Sequence, residues 1–347
     1  MKKYLSFFLF FILLSLSLVS CTKKPGETSG ENDKKSAGDT HHNQTKKIND
    51  VSSDERVFFG RYDGKKIIID DYYKYSSNEK LMDSTGAGYD LYGGDLKAII
   101  GKYGKFDEQT PEYFFDDFKP EFEKYTSFKT GDKIYISGSG GVFPAQISGY
   151  YINMDDMIGA GTIFYAAVNP PKEMKLEDNE IVVCTYNSNM SALNRKGVTN
   201  QSMIDEFKGY VMPRLKGVKI TEYDVKSGPV DRHIEKISNE DFRLFEGSFT
   251  GKDKNEFLVS VRLQNDFTNF TSLVYVMDGE GKVISEFVPL AVNNFTFSLA
   301  EGIIDINGDG VFEVITYDGY YEGGGYSLNK YNGGLWKTLT TGFVFGV

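Results

Sequence analysis

The sequence is poor in the side chains on which most catalytic and metal centres depend. Its 347 residues include two cysteines, three histidines and one tryptophan. His41 and His42 lie in a polar stretch near the N-terminus, where we interpret them as solvated residues, and this leaves His233 alone in the remaining chain. A zinc site needs several His or Cys ligands, so none is expected. A Ser–His–Asp triad is equally unexpected, because the Gly-x-Ser-x-Gly elbow is also missing.

The sequence also lacks an excess of basic charge and a long apolar run. It has 39 basic and 49 acidic residues, a net charge of −10. Binding to nucleic acid depends on basic side chains that match phosphates, so this function is excluded. The longest apolar stretch, Leu5 to Val19, covers 15 residues. That is shorter than the roughly 20 residues a helix needs to span a bilayer.

The N-terminus has the order of features of an export signal. Lys2 and Lys3 precede the apolar run, and Leu18-Val19-Ser20-Cys21 follows it. This sequence resembles the lipobox of bacterial lipoproteins, which implies cleavage after residue 20 and acyl chains on Cys21. Two or more acyl chains hold a protein on a membrane stably. The alternative is an ordinary cleaved signal with a chance cysteine. Thr22 follows in place of the aspartate that retains some lipoproteins, which favours the outer membrane or cell surface over the inner membrane.

Beyond the anchor we predict a disordered tether at 21–55, because its composition is polar and has almost no large apolar residue. Loss of Lys2 and Lys3 with the signal changes the net charge to −12.

Once Cys21 is acylated, Cys184 is the one remaining thiol, so an intrachain disulfide is excluded. Cys184 lies in a predicted strand at 181–186, where we interpret it as a small buried hydrophobic residue.

A β-rich domain with two helices is predicted at 56–235. One helix is expected to start at Thr110, with Pro111 in its first turn and a break or kink at Pro120. The other is expected from Ser202 to Met212, with Pro213 as its stop. Strands are predicted at Lys133–Ser137, Val142–Ile152, Thr162–Val168 and Ile181–Tyr186, and they suggest a small barrel or sandwich within 128–190.

The last hundred residues contain an internal repeat, assigned to 240–347. The segment 248–258 aligns with 305–315 at an offset of 57 residues, and Asp278-Gly279 corresponds to Asn332-Gly333 at an offset of 54. Two similar offsets indicate two copies of one supersecondary unit. The predicted fold class is therefore mainly β with a few short helices: an α+β N-terminal part and a β-rich C-terminal part with two repeat units.

One segment has the spacing of a calcium loop. Asp305, Asn307, Asp309 and Glu313 supply oxygen side chains at loop positions 1, 3, 5 and 9, and the Val311 carbonyl can serve at position 7. Ca²⁺ prefers six to eight oxygen ligands, which this set plus water can provide. An EF-hand needs a glutamate at position 12, where this chain has Thr316, and helical flanks, which are β-branched here. The alternative is a polar turn without metal.

Residues 305–315 resemble the calcium loop of FG-GAP/VCBS repeats, the units of integrin-like β-propellers, and 248–258 resemble a decayed copy. The resemblance implies two propeller-blade-like units and calcium held by Asp305, Asn307, Asp309, Val311 and Glu313. The chain is too short for a complete propeller. In the upstream copy Lys252 stands where Asp309 stands. We expect that loop to be metal-free, with the ammonium of Lys252 in the place of the ion.

The remaining sequence favours binding over catalysis. The segment from Tyr320 to Tyr326 is rich in tyrosine and glycine, so its rings either bind a sugar or protein or pack over a turn. Acid pairs at 70–71, 116–117 and 155–156 could in principle hydrolyse glycans. We expect a non-enzymatic, lipid-anchored module that binds a protein or a glycan, with a structural calcium ion. A purely structural envelope protein and a carboxylate-dependent glycan hydrolase are the alternatives.

Overall fold

A computed structural model describes residues 56–71, 93–104, 112–117, 119–129, 131–153, 163–224, 228–252, 255–266, 268–320 and 323–345. The predicted signal peptide, Cys21 and the tether lie outside these ranges. The described residues form seventeen strands, two α-helices and a short 3₁₀ turn, which confirms the mainly β fold.

The N-terminal part contains a closed antiparallel sheet. Its strands are β1 (Val57–Tyr62), β2 (Ile67–Asp70), β3 (Glu112–Phe115), β4 (Lys133–Gly138), β5 (Gly141–Asn153), β6 (Ile163–Val168) and β7 (Ile181–Thr185). Six of them follow the order β5-β4-β7-β1-β2-β6, and β6 pairs with β5 to complete a barrel-like ring, while β3 adds to the other edge of β5. The ring extends beyond 128–190, because β1 pairs with both β7 and β2.

The helix predicted from Thr110 is wrong for the part that the structure describes. Glu112–Phe115 is strand β3, which pairs with Tyr150–Asn153 of β5, and a 3₁₀ turn follows at Glu123–Tyr125. Aromatic side chains suit a pleated surface. The Phe115 ring packs 4.8 Å from that of Phe122, so these aromatics fill a core beside the barrel rather than one helical face. Helix α1 (Gly93–Tyr103) was not predicted.

The second helix is longer than predicted. Helix α2 spans Gln201–Leu215, with Asn200 as the N-cap that accepts from the backbone N–H groups of Ser202 and Met203. Pro213 lies inside the last turn, so its role as the stop is wrong. Proline removes one N–H donor, but Leu215 beyond it is fully buried, and its packing continues the helix. A two-stranded hairpin follows, β8 (Lys219–Asp224) with β9 (Gly228–His233).

The C-terminal part consists of two four-stranded antiparallel meanders. The first sheet is β10 (Phe242–Gly247), β11 (Glu256–Gln264), β12 (Phe270–Met277) and β13 (Val283–Asn294). The second sheet is β14 (Thr296–Ile304), β15 (Glu313–Tyr320), β16 (Gly323–Asn332) and β17 (Leu335–Phe345). In each, a polar loop joins the first two strands and a tight turn joins the last two. The two repeat units are therefore two blade-like sheets, and they do not form a complete propeller.

The sheets lie in layers between α2 and the barrel, because side chains alternate between the two faces of each strand. On the first sheet, Phe257 and Val259 share a core with Phe207 and Val211 of α2. Leu258 faces the opposite way, into a core with Ile303 and Val314 of the second sheet. The other face of the second sheet packs on the barrel through residues that include Ile304, Ile315, Leu328 and Phe343.

Candidate cation site

Loop 305–312 is fixed by contacts at both ends. Asp305 follows β14; its carbonyl accepts from Ser191 N–H at 2.7 Å, and its own N–H donates to Ser191 Oγ at 2.9 Å. Phe312 N–H donates at 2.8 Å to the carbonyl of Ser248, which belongs to the corresponding loop of the first sheet. The two loops therefore lie side by side, and the strands that follow them carry Glu256 and Glu313.

Asp305 organises the backbone of its loop. It is 7% exposed. Its Oδ1 accepts from the N–H groups of Asn307 at 3.2 Å and Gly308 at 2.7 Å, and its Oδ2 accepts from Gly310 N–H at 2.8 Å. Gly308 and Gly310 have φ values of +76° and +81°, in the left-handed region that favours glycine. Gly310, at loop position 6, therefore allows a sharp turn of the backbone between Asp309 and Val311.

Asn307 and Asp309 bind each other at the exposed side of the loop. Asn307 Nδ2 donates to Asp309 Oδ2 at 3.0 Å, and Asp309 Oδ1 accepts from Val311 N–H at 2.8 Å. Burial acts to raise the pKa of Asp309. The Val311 N–H, the Asn307 amide and the ammonium of Lys330 outweigh that effect, so the pKa lies below its ordinary value.

Glu313 is the buried acid of the site. Its side chain is fully buried, and Oε2 accepts from Ile306 N–H at 3.0 Å. The second oxygen, Oε1, is also buried and has no well-directed hydrogen bond, although Lys330 Nζ lies 3.1 Å away. Burial raises the pKa of Glu313, because a charged carboxylate loses its hydration; the Ile306 N–H and Lys330 reduce this rise.

Lys330, a residue that the loop motif does not include, places its ammonium beside two of the loop's acids. Lys330 Nζ lies 3.1 Å from Glu313 Oε1 and 3.3 Å from Asp309 Oδ2. The sequence held a signal for it: if the runs 313–320 and 323–332 pair as a hairpin, Lys330 lies opposite Glu313. The structure has this register, with Val314 paired to Asn329.

The donor set suits a hard cation, but its geometry is adjusted to an ammonium. Asp305, Asp309 and Glu313 supply carboxylates, and one buried oxygen of Glu313 is directed at the cation position. Among the described residues, however, no three His, Cys, Asp or Glu side chains are grouped as metal ligands. Calcium could use these oxygens only after Lys330 moves away from Asp309 and Glu313.

In the corresponding loop of the first sheet, the buried acid is Glu256, and it has different hydrogen-bond donors. Glu256 is also fully buried. Its Oε2 accepts from the N–H groups of Phe249 at 2.5 Å and Thr250 at 2.7 Å, and Oε1 accepts from Thr250 Oγ1. Lys252 does not take the place of an ion: its Nζ lies 6.0 Å from the ring centroid of Tyr331. That part of the prediction is wrong.

The tyrosine-rich segment lies away from the loop. Glu313 and Tyr320 are at opposite ends of β15, which separates them by about 23 Å at the usual rise of a strand. The Tyr326 ring packs 5.3 Å from that of Tyr317 and 6.0 Å from that of Phe59, as the packing alternative expects. The Tyr320 ring stacks on Phe295, with centroids 6.3 Å apart and planes 22° apart. Phe295 is 46% exposed.

In the acid pairs considered as glycosidase candidates, the two neighbouring carboxyls bind different partners. Asp70 Oδ2 accepts from Phe343 N–H at 2.7 Å, whereas Asp71 accepts from the side chains of Thr126 and Ser127. Burial raises the pKa of Asp70 to about 6. Asp116 pairs with Lys66 and Asp117 with Lys119. The pair at 155–156 lies outside the described residues.

The other sequence candidates have structural surroundings. Cys184 is fully buried in β7, and burial raises the pKa of its thiol. His233 is exposed on β9, with Nδ1 3.3 Å from the Gly217 carbonyl. Ser139, in the β4–β5 turn, donates to Glu180 at 3.3 Å. No helix in the described part of the chain is long and apolar enough to cross a bilayer.

No protein-family model, curated protein or solved structure matches this chain.

Proposed function

We propose that this chain is an exported bacterial lipoprotein whose folded body is a non-enzymatic binding module. The observation that carries the anchor is Leu18-Val19-Ser20-Cys21 directly after a basic and apolar N-terminus. Acyl chains on Cys21 hold the protein on the outer membrane or cell surface, and residues 21–55 separate the body from the lipid headgroups. The body would contact a protein or glycan ligand.

The anchor is tested by metabolic labelling with a palmitate analogue, followed by membrane fractionation. The wild-type chain should carry label and remain with membranes. A Cys21→Ala chain should carry none and be released or remain as unprocessed precursor. Because an ordinary signal peptide needs no cysteine, equal labelling and fractionation of the two chains would leave Cys21 without a role and remove the lipoprotein proposal.

Binding rather than catalysis is supported by what the candidate acids do. Asp71 is held by Thr126 and Ser127, and Asp70 accepts from a backbone N–H, so neighbouring carboxyls are used separately to join segments of the fold. A glycosidase needs two carboxyls about 5–10 Å apart across one cleft. The glycan hydrolase remains the alternative, and release of reducing ends from envelope polysaccharide by the purified protein would favour it.

The exposed ring of Phe295, stacked on Tyr320, is the surface at which we propose that a glycan binds. Flat aromatic rings offer apolar area at a small entropic cost. The test is retention of the purified body on insoluble envelope polysaccharide, with Phe295→Ser as the variant and Leu335→Ser, at the exposed β16–β17 turn, as the matched control. Saturable binding that Phe295→Ser alone weakens supports the module. Equal retention of all three proteins, or none, favours the purely structural alternative.

Calcium is the proposed structural ion of loop 305–313. It would neutralise the carboxylates of Asp305, Asp309 and Glu313 and clamp the β14–β15 connection to its neighbours. The mature chain should melt at a higher temperature with calcium than with chelator. A site at 100 times its dissociation constant adds about 2.7 kcal/mol. Asp309→Ala should abolish the rise, and Lys252→Ala should leave it unchanged. Identical melts with calcium and chelator would contradict a calcium clamp.

A further inference from the structure

The ammonium of Lys330 lies between one carboxylate oxygen of Asp309 and one of Glu313. It is within 3.3 Å of Asp309 Oδ2 and 3.1 Å of Glu313 Oε1. The other oxygens of these two acids accept backbone N–H groups from Val311 and Ile306. Asp309 Oδ2 also accepts from Asn307 Nδ2, whereas Glu313 Oε1 has no other donor. The two oxygens therefore share one cation, and that cation comes from strand β16 rather than from the loop.

Burial makes this cation necessary. The Glu313 side chain is fully buried, whereas that of Lys330 is 29% exposed. A buried carboxylate without a partner is strongly destabilising, while a lysine at this depth can extend its flexible stem towards water. The arrangement is therefore asymmetric: Glu313 cannot leave the site, but the ammonium of Lys330 can.

The first sheet shows the same fold without the cation. Glu256 precedes the Phe257–Met277 pair of β11 and β12, and the residue after Met277 is Asp278. By strand register, rather than by sequence offset, an acid thus stands opposite Glu256 where Lys330 stands opposite Glu313. Asp278 Oδ1 accepts from the N–H groups of Glu280 and Lys282 in the following turn. Glu256 takes its donors from Phe249 and Thr250, so a buried glutamate at this point needs a cation only in the second sheet.

We propose that Lys330 is the resident cation of loop 305–313, and that a divalent cation binds there only by displacing its ammonium. Lys330 keeps the loop folded without metal and sets the calcium concentration at which metal replaces it. Displacement frees one positive charge at the surface next to Asp309. This inference rests on the calcium loop of the proposed function and adds the residue that controls its occupancy.

The test measures calcium binding by titration calorimetry on the mature chain from Thr22, which contains every residue that the structure describes. Lys330→Gln removes the competing charge, Lys330→Arg retains it, and Lys252→Gln is the matched control in the first loop. We expect Lys330→Gln to bind calcium at least roughly tenfold more tightly than the wild type, a difference of about 1.4 kcal/mol. Lys330→Arg and Lys252→Gln should remain close to the wild type.

A melting experiment gives a second readout that does not require wild-type binding. In chelator, Lys330→Gln should melt several degrees below the wild type, because Glu313 loses its cation, and calcium should restore the difference. A variant that folds only with calcium gives the same result in stronger form. A variant that stays destabilised or unfolded at saturating calcium would show that Lys330 holds the fold without competing for a metal, which overturns displacement.

Equal calcium affinity of the wild type and Lys330→Gln would overturn the displacement and leave the calcium loop standing. Equally tight binding by Lys330→Gln and Lys330→Arg would also overturn it, because charge would not be the cause. If all four folded proteins fail to bind calcium, the calcium loop itself is wrong and displacement fails with it. The two failures are therefore distinguishable.

Discussion

The loops between β10 and β11 and between β14 and β15 occupy equivalent positions in the two sheets, yet each stabilises a buried acid in a different way. Glu256 and Glu313 are equivalent in the repeat and both fully buried. Glu256 accepts two backbone N–H groups and a hydroxyl from its own loop. Glu313 accepts one backbone N–H and faces Lys330 from a neighbouring strand.

The difference shows two solutions to one physical problem. A buried carboxylate can be stabilised by several neutral donors or by one opposite charge. Neutral donors close the loop on itself and leave no position for an ion. The ammonium of Lys330 instead occupies such a position beside Glu313. The first loop is therefore closed by its own donors, and the second depends on a cation from a neighbouring strand.

The largest effect should come from removing the acid of the first loop. Glu256→Ala leaves the N–H groups of Phe249 and Thr250 and the Thr250 hydroxyl without their acceptor, which should cost about 4 kcal/mol. Glu313→Ala removes the acceptor of one N–H, that of Ile306, and should cost about 2 kcal/mol. Denaturant unfolding of both variants in chelator measures the two values. A larger loss at Glu313 would reverse the assigned roles.

The next largest difference should be in the stability cost of alanine at two glycines that occupy equivalent positions in the loops. Gly251 and Gly308 both have positive φ, at +70° and +76°. A Cβ at Gly251 meets Val311 Cγ2 at 3.5 Å, an ordinary contact, but at Gly308 it meets Asn189 Cβ and O at 3.0 Å. Alanine should therefore cost about 1 kcal/mol at 251 and about 2 kcal/mol at 308. Thermal unfolding of the two variants measures these costs. Equal losses of stability would mean that the Asn189 segment moves aside to make room for the Cβ.

The pH dependence of stability should separate two acids of the second loop. The pKa of Glu313 is raised by burial, so its contribution is present below its ordinary value of 4.5 and is lost as the pH rises. The pKa of Asp309 is lowered, so its contribution is lost as the pH falls through 3.8 and below. Glu313→Gln should gain stability relative to the wild type with rising pH, and Asp309→Asn should lose it. Unfolding curves in chelator from pH 3 to 7 test this. If the stability differences of the two variants from the wild type change with pH in the same direction, the prediction is contradicted.

The smallest effect should come from Lys252. Its side chain is exposed and its Nζ is 6.0 Å from the Tyr331 ring centroid, a weak contact. Lys252→Gln should change the free energy of unfolding by less than about 0.5 kcal/mol. A loss comparable to that of Lys330→Gln would show that Lys252 does serve as the cation of the first loop, and the contrast between the two loops would disappear.

Local patterns in the sequence were enough for much of the β structure. The 57-residue offset predicted two copies of one unit, and Gly279 and Gly333 lie in the turns between the last two strands of each sheet. Gly310, which the spacing of the acids places at loop position 6, has a left-handed backbone. These features depend on neighbours within a few residues, so the sequence displays them directly.

The errors came where packing overrides local preference. Thr110 and Pro111 suggested the start of a helix, but β5 offered a strand edge with which Phe114 and Phe115 pair. Pro213 suggested a helix stop, but the buried Leu215 extends the last turn. The tyrosines at 320–326 are close in sequence to the loop, yet β15 places Tyr320 at its far end.

By itself the sequence determined the mainly β class, the repeat and the acids and glycines of the cation loop, because each is set by residue type and short spacing. Tertiary structure alone decided that two blade-like sheets are covered by a helix on one side and a barrel on the other, since apolar faces choose partners far along the chain. It also decided which cation Glu313 faces. Lys330 is 17 residues further along the chain and enters the loop only because β16 pairs with β15.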